Sequence, residues 1–222
     1  MRKHVVFVVD ASRSMERRDV FDQGERKRRI DAVLDCCFEF IEDQLANEHS
    51  SSGDRYSVIS FNDVAKVQLR GKSMHGRNLY ALRKDLEAKI RPTHGTAYGE
   101  GLRSAWDVAS GGVNDAGEQF VLIFLSDGRP RDMNAACKRE QAPAYWLRNM
   151  RERFRRRLTF HGVGVGPEDF GLLEDLCLVA EGTFHHARLA LSGGGGTVCR
   201  GPRGPTVGRT RSAARSATSR RP

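Results

Sequence analysis

Residues 5–9 are five consecutive apolar side chains, Val5, Val6, Phe7, Val8 and Val9, and four of them are β-branched. A run of this length and composition, bounded by polar residues, predicts a strand buried on both faces, as at the centre of a parallel sheet. The run stops abruptly at Asp10-Ala11-Ser12-Arg13-Ser14. Three oxygen-bearing side chains at alternating positions then follow the carboxyl end of a central strand, where open α/β sheets place their ligand sites. Oxygen ligands without His or Cys favour a hard cation such as Mg²⁺ over zinc. Alone, the same residues would equally suit a turn or a helix N-cap.

Two later stretches decide between these readings. Pro92-Thr93-His94-Gly95-Thr96 precedes a helical pattern, with Thr96 expected at its start. A second apolar run, FVLIFL over residues 120–125, ends in Ser126-Asp127-Gly128. With these residues the chain resembles the von Willebrand factor type A domain family, over residues 3–191. That family's metal-ion-dependent adhesion site uses D-x-S-x-S after the first strand, a Thr after a Gly in a second loop and the Asp of a D-G pair after the fourth strand. The matching positions are Asp10, Ser12, Ser14, Thr96 and Asp127. The resemblance implies a doubly wound α/β fold, its sheet mostly parallel with one antiparallel edge strand and helices on both faces. It also implies a Mg²⁺ (or Mn²⁺) ion at the five residues, completed by a Glu or Asp carboxylate of a protein partner.

The chain carries a net charge of +9, which would ordinarily suggest a polyanionic partner. From residue 193 onward, however, there are seven Arg and no acidic residue, leaving 30 basic and 28 acidic residues in 1–192. The excess charge therefore belongs mostly to the end of the chain and says little about the folded part. Residues 192–222 are Gly, Ser, Thr, Arg and Pro with few apolar side chains, and are expected to be a disordered tail. No window approaches the ~18 apolar residues of a membrane span. Five Cys, at 36, 37, 137, 177 and 199, form no C-x-x-C pair. That odd count, with no signal-peptide pattern, leads us to expect reduced thiols and an intracellular, cytoplasmic protein.

Between the motifs the periodicities alternate. A charged connection over 16–27, longer than many relatives have, leads to an amphipathic helix over 28–46 with Ile30, Val33, Leu34, Cys37, Phe38, Ile41 and Leu45 inward. Strands follow at 56–61 and 65–69, joined as a hairpin through Asn62-Asp63, the second as the antiparallel edge. Helices are predicted over 78–90, 97–109, 144–157 and 170–180, with Pro143 delaying the third of these and Trp106 in the core. Six Arg between 148 and 157 are expected to form a solvated face. Residues 158–165 (LTFHGVGV) form a strand whose glycines lack G-x-G-x-x-G spacing, so no dinucleotide site is assigned. Residues 182–186 resemble the family's last short strand. His161, His185 and His186 lack metal-ligand spacing. Residues 188–191 start a last helix that four glycines end, and Asp132 is expected to be a solvated loop residue.

Two other functional classes fit the residues less well. Asp10 after a strand would suit a phosphoaspartyl hydrolase of the haloacid-dehalogenase type, but the general acid required two residues later is replaced by Ser12. No G-x-S-x-G or P-loop motif is present either. Nucleic-acid binding through the Arg-rich tail lacks interleaved aromatics. The sequence therefore favours a metal-dependent protein-binding module over an enzyme.

Overall fold

The computed structural model describes residues 2–22, 25–47, 51–111, 117–128, 130 and 142–187. Asp132, the helix start at 188–191 and the tail over 192–222 lie outside the described residues. A six-stranded sheet contains β1 (Lys3–Asp10), β4 (Arg55–Phe61), β5 (Ala65–Lys72), β6 (Gln119–Ser126), β7 (Leu158–Val165) and β8 (Thr183–Ala187). Their order is β5-β4-β1-β6-β7-β8. Every neighbouring pair is parallel except β4–β5, the predicted hairpin. The chain thus winds outward from β1 through β4 to β5, then returns to the other side of β1 and winds outward through β6 to β8. The reversal lies between β1 and β6, where sheets of this kind open a crevice at their carboxyl ends.

Five helices cover the sheet: α1 (Arg29–Ala46), α2 (Leu79–Lys89), α3 (Tyr98–Ser110), α4 (Pro143–Phe154) and α5 (Gly171–Val179). Strand β1 divides its side chains strictly between two cores. Val5, Phe7 and Val9 join Ile30, Leu34 and Ile41 of α1 and Leu86 of α2. Val6 and Val8 join Leu102 of α3, Leu147 of α4 and Leu173 of α5 on the other face. Alternation along a strand with helices on both sides makes this division unavoidable. Helix α2 starts where the Asn78 side chain accepts a hydrogen bond from the Ala81 amide at 2.9 Å, an N-cap with the usual residue type. Pro143 occupies the first turn of α4, where its missing N–H costs nothing.

Several local expectations need correction. The charged 16–27 connection holds a short antiparallel ribbon that the sequence pattern does not show, β2 (Val20–Asp22) with β3 (Glu25–Lys27). Its pairs are too few and too charged to leave a period-two signal. Helix α3 begins at Tyr98, so Thr96 precedes it by two residues rather than opening it. Helix α4 ends at Phe154, and residues 155–157 form a tighter turn. Trp106 is only partly buried, tilted against Trp146 with ring centroids 6.5 Å apart. The arginine-rich region is largely the solvated face expected: Arg148, Arg153, Arg155 and Arg156 are exposed, with Arg153 over the Trp106 ring and Arg151 paired with Glu181.

Candidate metal site

Strand β1 delivers Asp10 to the carboxyl edge of the sheet, level with Phe61 at the end of β4. Asp10 is fully buried. Its Oδ1 accepts a hydrogen bond from the Ser12 amide at 2.8 Å, which folds the chain back immediately after the strand. Its Oδ2 accepts from the Ser126 hydroxyl at 2.6 Å. The Ser12 and Ser14 hydroxyls lie 3.0 Å apart. Ser14 in turn donates to Asp127 Oδ1 at 2.7 Å. Asp127 follows β6 directly and is fully buried. Four of the five predicted residues therefore form two linked carboxylate–hydroxyl groups at the mouth of the β1–β6 crevice.

Thr96 completes the set. It is buried, and a methyl group on Gly128 would lie 3.7 Å from its Oγ1 and 3.8 Å from Ser14 Oγ. Both hydroxyls therefore face the same space beside Gly128. The loop that carries Thr96 is tied to the first loop by backbone hydrogen bonds, Thr93 N–H to Ala11 O at 2.9 Å and Arg13 N–H to His94 O at 3.3 Å. It is tied to the β4–β5 turn by Ala97 N–H to Asn62 O at 2.8 Å. The Tyr98 hydroxyl donates to Gly128 O at 2.8 Å, joining the second and third loops.

Reasoning from sequence missed three residues here. Ser126 shows in the sequence only as the end of a strand, yet it holds Asp10. Tyr98 shows only as part of a helix, yet it fastens two loops. Most consequential is Arg29, whose side chain is 1 % exposed. Its Nη1 donates to Asp127 Oδ2 at 2.8 Å, and its Nε donates to Asp19 Oδ1 at 2.9 Å. A signal for Arg29 was available: it is the first residue of α1, where the helix dipole disfavours a cation unless an anion is supplied. That anion is Asp127, with Asp19 from the stretch before the ribbon. The Arg29 hydrogen bond holds the Asp19 carboxyl below its ordinary range.

Burial pushes Asp10 up to about 7, against the opposing hydrogen bonds from Ser126 and Ser12. A buried carboxyl of this kind is costly to ionise until a cation arrives. All five side chains offer oxygen only, and the described residues contain no cluster of three His, Cys, Asp or Glu. In a metal site built from these five residues hydroxyls would supply most of the donors, which suits a hard divalent ion that keeps some of its waters. The His161 and His185 rings, on β7 and β8, instead meet each other, Nδ1 to Nε2, at 3.2 Å.

The sequence model of the von Willebrand factor type A domain matches residues 5–129. The chain belongs to that family. No curated protein matches it at significance. Solved structures share its fold at low identity. The SpRpn10 VWA domain superposes with a TM-score of 0.63 and 11% identity, covering 86% of this chain and 90% of that one. The PilB minor pilin from Streptococcus sanguinis gives 0.61 and 16%, covering 84% and 56%. Proximal thread matrix protein 1 from the mussel byssus, in a form described as having a zinc-occupied MIDAS motif, gives 0.54 and 19%, covering 83% and 41%. This A domain thus spans well under half the length of the mussel protein. No helix among the described residues is long and apolar enough to cross a membrane.

Proposed function

We propose that this A domain is a metal-dependent protein-interaction module. Asp10, Ser12, Ser14, Thr96 and Asp127 hold a divalent ion, and a Glu or Asp carboxylate of a partner completes its coordination. Von Willebrand A domains are typically interaction modules, which supports the general reading. The observation that carries the specific one is the linkage of Asp10, Ser12, Ser14 and Asp127 through hydrogen bonds at the β1–β6 crevice, with Thr96 facing the same space as Ser14.

The donor chemistry explains the mode of binding. Three neutral hydroxyls neutralise little of the ion's charge, and Arg29 already balances part of Asp127. The bound ion stays electrophilic and draws a further anion into a water-filled position. Mg²⁺ and Mn²⁺ suit these oxygens best. The zinc in the mussel protein is a property of that protein and makes ion preference a quantity to measure here. A hydrolase would need an acid two residues after Asp10, and the Ser12 hydroxyl found there is engaged with Ser14.

The test is partner capture on the immobilised domain in Mg²⁺, with and without chelator, for wild type and Asp10→Ala. Capture lost on chelation and absent from Asp10→Ala is expected. Capture that survives both would refute the reading.

A further inference from the structure

A groove of about 500 Å³ opens beside the metal site. Ala11, the residue between Asp10 and Ser12, lines it, as do Thr93 and His94 of the Thr96 loop. The remaining wall carries Lys66 at the start of β5, Lys89 at the end of α2, and Arg91. All three cations are exposed. Among the described residues, Lys66 and Arg91 have no ion-pair partner. Lys89 pairs only with Asp85, in a contact whose two side chains are about half exposed. Among the described residues Asp63 is the one acidic residue in the wall, and its carboxylate accepts from the Gly95 amide at 3.3 Å.

We infer that this groove receives the segment flanking the partner's metal-binding carboxylate, and that the segment is acidic. The inference rests on the metal-dependent reading above and names the partner chemistry for it. Like charges held around one concavity repel each other and are relieved by an anionic occupant. The groove is continuous with the first and second metal loops, so a chain whose carboxylate reaches the ion must leave across it or away from it. The charge on its wall favours the first route. Val64, an exposed apolar residue at the hairpin tip, lies in the same wall and offers a contact between acidic residues. A single-stranded nucleic acid is the other polyanion of suitable size. The groove favours the peptide, because among the described residues its wall holds no exposed Phe, Tyr or Trp, and the single exposed ring, His94, gives successive bases no run of platforms to stack on.

The experiment measures anisotropy of a fluorescein-labelled hexaglutamate peptide and of a Gly-Ser peptide carrying one Glu, both in Mg²⁺, on the whole chain. The variant is Lys66→Glu with Arg91→Glu, two exposed changes away from the five oxygen donors. Mn²⁺ binding by EPR runs in parallel. Hexaglutamate should bind about tenfold tighter than the single-Glu peptide. The double variant should abolish that preference while leaving Mn²⁺ binding and the single-Glu peptide unchanged. The inference is overturned if Mn²⁺ binds but the preference is missing or survives the double variant. It is equally overturned if oligo(dT) displaces hexaglutamate more effectively than unlabelled hexaglutamate does. Hexaglutamate binding that ignores chelator yet falls in the double variant would uphold the groove and reject the metal.

Discussion

Asp10 sits where solvent cannot reach it and where only a cation or a proton can balance its charge. With burial raising it to about 7, a divalent ion must compete with that proton. Apparent Mn²⁺ affinity should therefore rise with pH up to about 7 and then level. Below that point each pH unit should cost about tenfold, as read by EPR titration at pH 5.5, 6.5 and 7.5. A flat profile would show that Asp10 is ionised without the metal. Arg29 makes the complementary case. It is a buried cation pressed against Asp127 and Asp19, and removing one partner of such a pair typically costs 3–5 kcal/mol. Arg29→Met should destabilise the chelated protein by about 3 kcal/mol in urea unfolding, and Mg²⁺ should restore part of the loss by supplying positive charge to Asp127. An equal loss with and without Mg²⁺ would show that the ion does not reach Asp127. His4 offers a stability test away from the site. Burial, with Arg55 and Arg70 nearby, lowers it to about 4, while its unfolded value stays near 6.5. The unfolded chain therefore binds the extra proton between those values. Stability carried by neutral His4 is complete above pH 6.5 and lost as pH falls toward 4, and His4→Gln should flatten that limb of the pH–stability curve.

At the scale of the elements, two features were invisible to periodicity and have physical causes. The glycines of β7 looked like a fragment of a nucleotide-binding loop, but they are there for packing. A methyl on Gly162 would lie 2.5 Å from Cys177 Sγ and 3.2 Å from Leu173 Cδ1, so α5 packs against β7 only because that position is bare. Gly162→Ala should cost about 1–3 kcal/mol, and adding Cys177→Ala should recover part of it. Gly117→Ala, with nothing within 4 Å, should be silent. The second feature is the end of α4, where Arg155 has φ 50° and ψ −124°. That backbone conformation is strained for any residue but glycine. Arg155→Gly should stabilise by about 1 kcal/mol in thermal unfolding, and a loss of stability would mean that the arginine side chain contributes more than its backbone costs. The helices and most strands were legible because each presents one apolar stripe or a continuous apolar run to a core. The β2–β3 ribbon was not, because short charged strands bury too little to impose a pattern.

Over the whole molecule, the order of the sheet brings together residues more than a hundred positions apart. Asp10 and Asp127 are neighbours because the chain reverses its winding between β1 and β6, and Thr96 joins them because its loop is laced by backbone hydrogen bonds to the turns that follow β1 and β4. The five candidate donors could be placed in the sequence because four of them follow a strand with an unmistakable apolar run and Thr96 precedes a helical pattern. Ser126 and Tyr98 could not be assigned to the site in that way, since their roles depend on which strand ends meet, and a cation at the start of α1 signals that Arg29 needs an anion without saying which one. The central claim is that these five oxygen donors hold a divalent ion, and Mn²⁺ EPR with Mg²⁺ competition tests it most directly. Wild type should bind Mn²⁺, Mg²⁺ should displace it, and Asp10→Ala should not bind. A folded wild-type protein that leaves the free Mn²⁺ signal undiminished at pH 7.5 would contradict the account.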